Sequence, residues 1–228
     1  MDSRVDSTRV LGEAIRGCAT PPAVWLNSST ATIYKHTFGP PHGDSGEIGA
    51  TPEAHDAYSI EVAKAWEHEF TAAAVPATRK LCLRTAMVFG AEPGGVYEVL
   101  RRLVRFGLGG KMGDGRQFVS WIHAIDFCRA IDWVIERPTA AGIFNICSPN
   151  PILNIEMMRI FRGVERRPIG LPATRWMLEV GAFFLRTETE LILKSRRVIP
   201  ARLLSEGFAF DFPGIESCLI DLKNRSGE

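Results

Sequence analysis

Three consecutive hydroxyls, Ser28, Ser29 and Thr30, close an apolar run that begins at Val24, and a phenol follows at Tyr34. An apolar run of this length bounded by polar turn-formers reads as a buried strand of a parallel sheet. Ligands of open α/β sheets bind just beyond the carboxyl ends of such strands, so these hydroxyls fall where a hydrogen-bond donor can act on a substrate oxygen. The competing reading is that they cap the strand and satisfy loop backbone. Tyr34 is a further phenol at this edge, and packing is its favoured role.

The elements around this stretch repeat one unit. Residues 2–17 place Val5, Leu11 and Ile15, with Thr8 between, near one helical face, and Gly17 with Pro21 and Pro22 stops the helix before the Val24 strand. A long aperiodic loop spans Lys35 to Asp56; it reads equally as a flap over a ligand or as a tolerated surface insertion. Its histidines, His36, His42 and His55, match no metal-ligand spacing, so no metal site is expected. Ala57 to Ala74 follows a 3.6-residue period and leads into a second buried strand, Lys80 to Phe89. Helix then strand, repeated, predicts a parallel sheet.

Residues 95–106 predict another amphipathic helix. A glycine loop follows in which Gly107, Gly109 and Gly113 imitate a phosphate-binding fingerprint. That fingerprint needs a strand before it and a helix after it, and here the order is reversed, so the cofactor reading is set aside. A β-rich run, Gln117 to Ile122, a helix from Ile125 to Glu136 with Asp126 near its positive end, and a short strand, Ile143 to Cys147, complete the first part. From about residue 151 the patterns are helical, apart from a VIPARLL segment and an FAFDF run, and a last helix lies near Ile215 to Leu222. Residues 1–150 and 151–228 therefore read as an α/β part and a small, mostly helical subdomain.

Composition sets outer limits. The 228 residues carry a net charge of +1, which gives no bulk electrostatic case for nucleic acid or an anionic membrane as partner. Five scattered cysteines, odd in number and without a CxxC pair, argue for reduced thiols rather than a disulfide framework or zinc site. With a polar N-terminus and no long apolar run, the expected location is cytoplasmic.

SSTATIY at Ser28 to Tyr34, a helix opening on Tyr58, LRTAMVFG at Leu83 to Gly90, and FVSWIHAID at Phe118 to Asp126 resemble the extended short-chain dehydrogenase/reductases, the NAD(P)-dependent epimerase/dehydratase family. FGLGGKMGDGRQF at Phe106 to Phe118 and RVIPARLLSEGFAFDFP at Arg197 to Pro213 are similar to its atypical YfcH-like branch, which ends in a small domain of unassigned function. The resemblance implies an NAD(P)-dependent epimerase or oxidoreductase acting on a small-molecule substrate. It gives Thr30 the hydroxyl that hydrogen-bonds the substrate's reacting oxygen, Tyr58 the partner phenol, Ser28 and Lys64 the cofactor side, and Ser29, Trp121 and His123 the substrate side.

Two departures qualify that expectation. The family's lysine stands four residues after its tyrosine, whereas Val62 stands there here and Lys64 is six on, about 600° around the helix and on the far side from Tyr58. The strand, glycine-rich turn and helix that open a dinucleotide-binding fold do not precede Val24. The expected fold is thus an incomplete Rossmann-like, doubly wound parallel sheet lacking its first strands, with weak or no NADP or NAD binding by this chain. The Val24 strand becomes an exposed edge open to self-association. The alternatives are a non-catalytic binding or regulatory protein, since relatives of the branch are linked to cell or plastid division, or a truncated gene remnant.

Overall fold

A computed structural model describes residues 2–54, 56–172 and 194–227. The reading of His55, and that of helices across 173–193, lies outside these residues. The first unit comprises α1 (Asp2–Gly17), β1 (Val24–Thr30), a 3-10 turn (Ala31–Ile33), α2 (Ala57–Ala72) and β2 (Arg79–Thr85). There follow β3 (Met87–Phe89), α3 (Val96–Arg105), β4 (Phe118–Val119), β5 (Trp121–His123), α4 (Ala124–Glu136) and β6 (Gly142–Ile146). The described remainder holds β7 (Ile152–Leu153), α5 (Asn154–Val164), α6 (Ala201–Ser205) and α7 (Ile215–Arg225).

The main sheet is parallel, in the order β1-β2-β6, with Thr30 level with Thr85 and Thr85 level with Ile146 at its carboxyl end. Alternation along the strands sends side chains to two covered faces. Trp25 and Cys82 pack with Phe70 and Val75 on the α2 side, while Leu81, Leu83 and Phe144 pack with Ala130 and Val134 of α4 on the other. Helices on both faces of a parallel sheet make the doubly wound arrangement expected from the sequence. Among the described residues, β1 pairs only with β2, so its outer edge carries no strand.

Three local expectations change. Leu11 is 52% exposed, and the inward face of α1 is built from Thr8, Gly12 and Ile15, which packs against the Trp25 cluster. The crossing is too close for a large side chain: a Cβ on Gly12 would lie 3.1 Å from the Ala73 Cβ and 3.4 Å from the Trp25 ring. The Lys80–Phe89 run is two strands, because at Ala86 the backbone leaves β6, the Ala86 N–H bonding Ile146 O at 3.0 Å, and β3 pairs with β5. The Gln117–Ile122 run divides likewise at Ser120, whose hydroxyl donates to Arg196 O and accepts the Val198 N–H, leaving β4 to pair antiparallel with β7.

The helical C-terminal part shares its core with the α/β part. Phe89, Tyr97, Trp121 and Val104 form one cluster with Met158, Phe161, Leu219 and Leu222. Asp126, read in the sequence as a helix-dipole partner, is fully buried and accepts the Asp211 and Phe212 N–H groups at 2.9 and 2.8 Å, fastening the FAFDF run to α4.

Candidate functional site

In a parallel sheet each crossover helix starts near the carboxyl end of the strand it follows, so the loop after β1 delivers the first turn of α2 to the edge that carries Thr30. α2 packs on β1 and on the 3-10 turn. Thr30 is half-buried, and its Oγ1 accepts the Thr32 N–H at 3.1 Å, capping the turn. The capping reading of this hydroxyl holds, and because a hydroxyl accepts and donates independently, the cap is compatible with donation of its proton to a substrate oxygen. Thr85 occupies the same rung on β2 and adds a second hydroxyl that the sequence reading passed over. Tyr58, in the first turn of α2, is 64% exposed.

The other expected residues separate into exposed and buried sets. Ser28 and Lys64 are exposed. Ser29 turns inward, 4% exposed, and donates to Glu67 Oε1. Trp121 is fully buried, stacked on Phe89, and its indole N–H donates to Asn150 O at 3.1 Å. His123 is 1% exposed; its Nδ1 accepts the Ile125 N–H at 3.0 Å as the N-cap of α4, its Nε2 lies 3.1 Å from Asp221 Oδ2, and its ring stacks on Phe212. Burial holds the His123 pKa below the usual imidazole value against the opposing pull of Asp221. Both ring nitrogens of His123 are engaged, and Trp121 is packed in the core that α3, α5 and α7 share.

The polar machinery beneath the hydroxyls was not legible in the sequence. Arg84, next to Thr85, makes a two-pronged pair with Glu67 at 2.9 and 2.7 Å and donates to the Tyr34 phenol oxygen at 3.0 Å. The Tyr34 hydroxyl donates to Asn145 Oδ1 at 2.8 Å, and Asp44 Oδ1 accepts the Asn145 N–H at 2.6 Å. Tyr34 is wholly buried, which raises its pKa although Arg84 opposes the rise, so it is the packing phenol expected and remains protonated. Burial alone would lower the Arg84 pKa; the bonds to Glu67 and Tyr34 outweigh it and keep the guanidinium charged. Buried networks of this kind hold strand ends in one geometry when every member is paired.

A second buried device joins the two candidate groups. Lys194 and Asp56 form an ion pair with both side chains fully buried, and Lys194 Nζ also donates to Thr32 O at 2.6 Å. Asp56 precedes the first residue of α2 and accepts the Thr51 N–H at 2.9 Å. One lysine thus ties the turn after Thr30 to the helix entrance that carries Tyr58. The 35–56 loop, expected as flap or insertion, is stitched down beside it: His42 bridges Val198, Thr37 N–H bonds Ser195 O, and Ser195 Oγ donates to Thr37 O at 2.6 Å. His36 accepts the Ser195 N–H at 2.9 Å and His42 stacks on Tyr34. Among the described residues no three His, Cys, Asp or Glu side chains gather as a metal site.

The glycine loop after α3 runs from helix to strand and is filled by its own neighbours. The Gly110 N–H bonds Leu171 O at 3.1 Å, the Met112 N–H bonds Asn154 Oδ1 at 2.8 Å, and Arg162 caps Gly109 O at 2.7 Å. No helix N-terminus follows to receive a pyrophosphate, so this loop is not the family's phosphate turn.

A doubly wound parallel sheet with hydroxyls at the carboxyl end of its strands defines a Rossmann-like epimerase-class fold. Residues 1–147 match the NAD dependent epimerase/dehydratase family, and residues 173–222 match a domain of unknown function, DUF1731. The chain belongs to the NAD dependent epimerase/dehydratase family. It is 29% identical over 225 residues to the mouse epimerase family protein SDR39U1, covering 97% of this chain and 73% of that protein. It is 30% identical over 228 residues to the Mycobacterium bovis epimerase family protein Mb2239, covering 99% and 71%. The crystal structure of human SDR39U1 (isoform2) with NADPH superposes with a TM-score of 0.86 at 24% identity, over 97% of this chain and 72% of that one. The Bacillus cereus UDP-N-acetylglucosamine 4-epimerase shares the fold, with a TM-score of 0.72 at 13% identity over 97% and 70%. No helix among the described residues is long and apolar enough to cross a membrane.

Proposed function

We propose that this chain supplies the substrate-polarising half of an NAD(P)-dependent epimerase or oxidoreductase site acting on a small molecule. The observation that carries the reading is Thr30, which keeps a hydroxyl proton to donate while its oxygen is fixed by the Thr32 N–H, at the carboxyl end of a strand that a buried ion pair ties to α2. A donor held still where negative charge develops on a reacting oxygen lowers the barrier without reorganising. Tyr58 is the partner phenol; Ser28 and Lys64 face the cofactor, and Ser29, Trp121 and His123 position the substrate wall. When bound, the nicotinamide supplies hydride; what these residues do is orient the substrate oxygen and hold its proton.

The fit to a dinucleotide is partial. The hydroxyl edge is there, but among the described residues no strand passes through a G-x-G-x-x-G turn into a helix, the order and spacing that cradle a pyrophosphate. We therefore expect weak NADPH binding and impaired turnover for these 228 residues alone, and self-association through the open edge of β1. A non-catalytic binding role is the second reading, favoured by Val62 standing where the family's lysine would be and by the exposed position of Lys64.

Fluorescence titration with NADPH tests the first point, and micromolar affinity would overturn it. Carbonyl reduction monitored through NADPH absorbance tests the roles. Thr30→Ala should lower turnover about 100-fold, as loss of an oxyanion donor does, and Tyr58→Phe should lower it as well; turnover unchanged by both substitutions rejects the assignment.

A further inference from the structure

A cleft of about 580 Å³ opens between α3, the C-terminal end of α5 and the C-terminal end of α7, remote in sequence from the β1 hydroxyls. That volume suits a small-molecule ligand. Arg101, Arg102, Arg105 and Arg167 line it, against one lining carboxylate, Glu98. Glu98 is engaged by Arg102, and Arg101, at the floor, by Glu165 at 3.1 Å, with Lys223 4.0 Å from the same carboxylate. Arg102 and Arg105 also complement the negative end of α3, which accounts for a basic last turn but not for Arg167, which arrives from the segment after α5.

Arg167 is delivered by an uncommon backbone choice. The helix α5 ends in a double hydrogen-bonded C-cap, Arg166 N–H to Gly163 O at 3.1 Å and Arg167 N–H to Arg162 O at 2.9 Å. Its left-handed residue, normally glycine, is Arg166 with φ 53°. Arg167 is exposed and its side chain makes no ion pair among the described residues. A second observation points the same way. Tyr97 lines the cleft, is 2% exposed, and its hydroxyl has no hydrogen-bond partner. Ser226 stands beside it; its hydroxyl donates to Leu222 O at 2.7 Å and leaves its oxygen as an acceptor toward Tyr97, so a ligand competes with Ser226 for the phenol proton. Burial pushes the Tyr97 phenol up to about 12, so it keeps its proton at neutral pH. Phe106, 75% exposed, with Ala91 and Pro93, adds an apolar wall.

We propose that this cleft is a binding site for a small phosphate monoester with an apolar or aromatic body. The dianion is gripped by the Arg105 and Arg167 guanidinium groups, Tyr97 is the donor at the floor, and the organic body lies against Phe106. Guanidinium forks match phosphate oxygens two at a time, and a flat aromatic at the rim shields that pairing from water. Free inorganic phosphate shares the dianion chemistry but not the body, and the two are separable.

Calorimetric titration of the intact chain with phenyl phosphate and with inorganic phosphate is the test. Phenyl phosphate should bind about tenfold more tightly, and Phe106→Ala should close that gap. Arg105→Gln with Arg167→Gln should weaken both ligands at least about tenfold, and Tyr97→Phe should weaken them several-fold. The arginines lie at the surface, so the double variant should keep the wild-type unfolding midpoint; if it does not fold, Arg167→Gln alone carries the comparison. Absence of binding up to about 10 mM of either probe, or equal affinities in wild type and arginine variants, overturns the site. Equal affinity of the two probes in the wild-type chain overturns the organic body.

Discussion

Replacing Lys194 with methionine should destabilise the protein by about 3–5 kcal/mol, because it strands a carboxylate where water cannot reach it. Both side chains of the Lys194–Asp56 pair are fully buried, and the lysine also serves Thr32 O, so the substitution removes the charge pair together with the hydrogen bond to that carbonyl. The expected cost belongs mainly to the uncompensated Asp56, not to lost attraction. Removing the second charge as well, in Lys194→Met with Asp56→Asn, should recover about 2 kcal/mol, since asparagine can still accept the Thr51 N–H. Urea unfolding followed by circular dichroism measures both values, with an unchanged slope confirming that the same surface is exposed. Arg159→Ala, which breaks an exposed pair with Glu156, should leave the midpoint where it is. A single Lys194→Met variant within about 1 kcal/mol of wild type, or a double variant less stable than the single one, would refute the reasoning.

Two further outcomes are expected. His123 is held neutral in the folded protein by burial, so unfolded chains bind more protons below the ordinary imidazole range. Stability should be fully present above about pH 6.5 and fall as pH drops below it toward the lowered folded value, and His123→Asn should flatten that part of the pH–stability curve. Of the five cysteines, Cys18 and Cys128 are exposed while Cys82, Cys147 and Cys218 are buried, with the Cys82 thiol pushed up to about 12. A maleimide pulse read by intact mass should modify two thiols quickly and the remaining three only on unfolding.

Much of the scaffold is legible in the amino-acid order because it rests on local periodicity. The α2 pattern and the β1 and β2 apolar runs announce themselves, and two of the strand boundaries fail only where a partner change intervenes. Ala86 and Ser120 carry no sequence mark of such a change, because what turns the chain there is a carbonyl on Ile146 or a backbone segment at 196–198. Leu11 misled because hydrophobicity predicts what can be buried, while the space beside Ala73 and Trp25 decides that glycine is. At the candidate site, Thr30 and Tyr58 are proposed from motif order. Arg84, Glu67 and Lys194 were not, since each acts through a partner 17 to 162 positions away and single charged residues in a sequence read as solvated surface. The Lys194 to Thr32 bond is of the latter kind: nothing near either residue signals the other.

The stitching of the 35–56 loop to the strip at 194–199 has a consequence for the order of assembly. Its fastenings join groups about 158 positions apart, as Ser195 and Thr37 do, so they lie among the costliest contacts in chain entropy. During synthesis the loop must wait for about 158 further residues before these groups find their partners. The turn after Thr30 and the entrance of α2 share that wait through Lys194. The edge bearing the hydroxyls therefore takes its final shape only once the 194–199 strip has docked, and it loosens when that strip lets go.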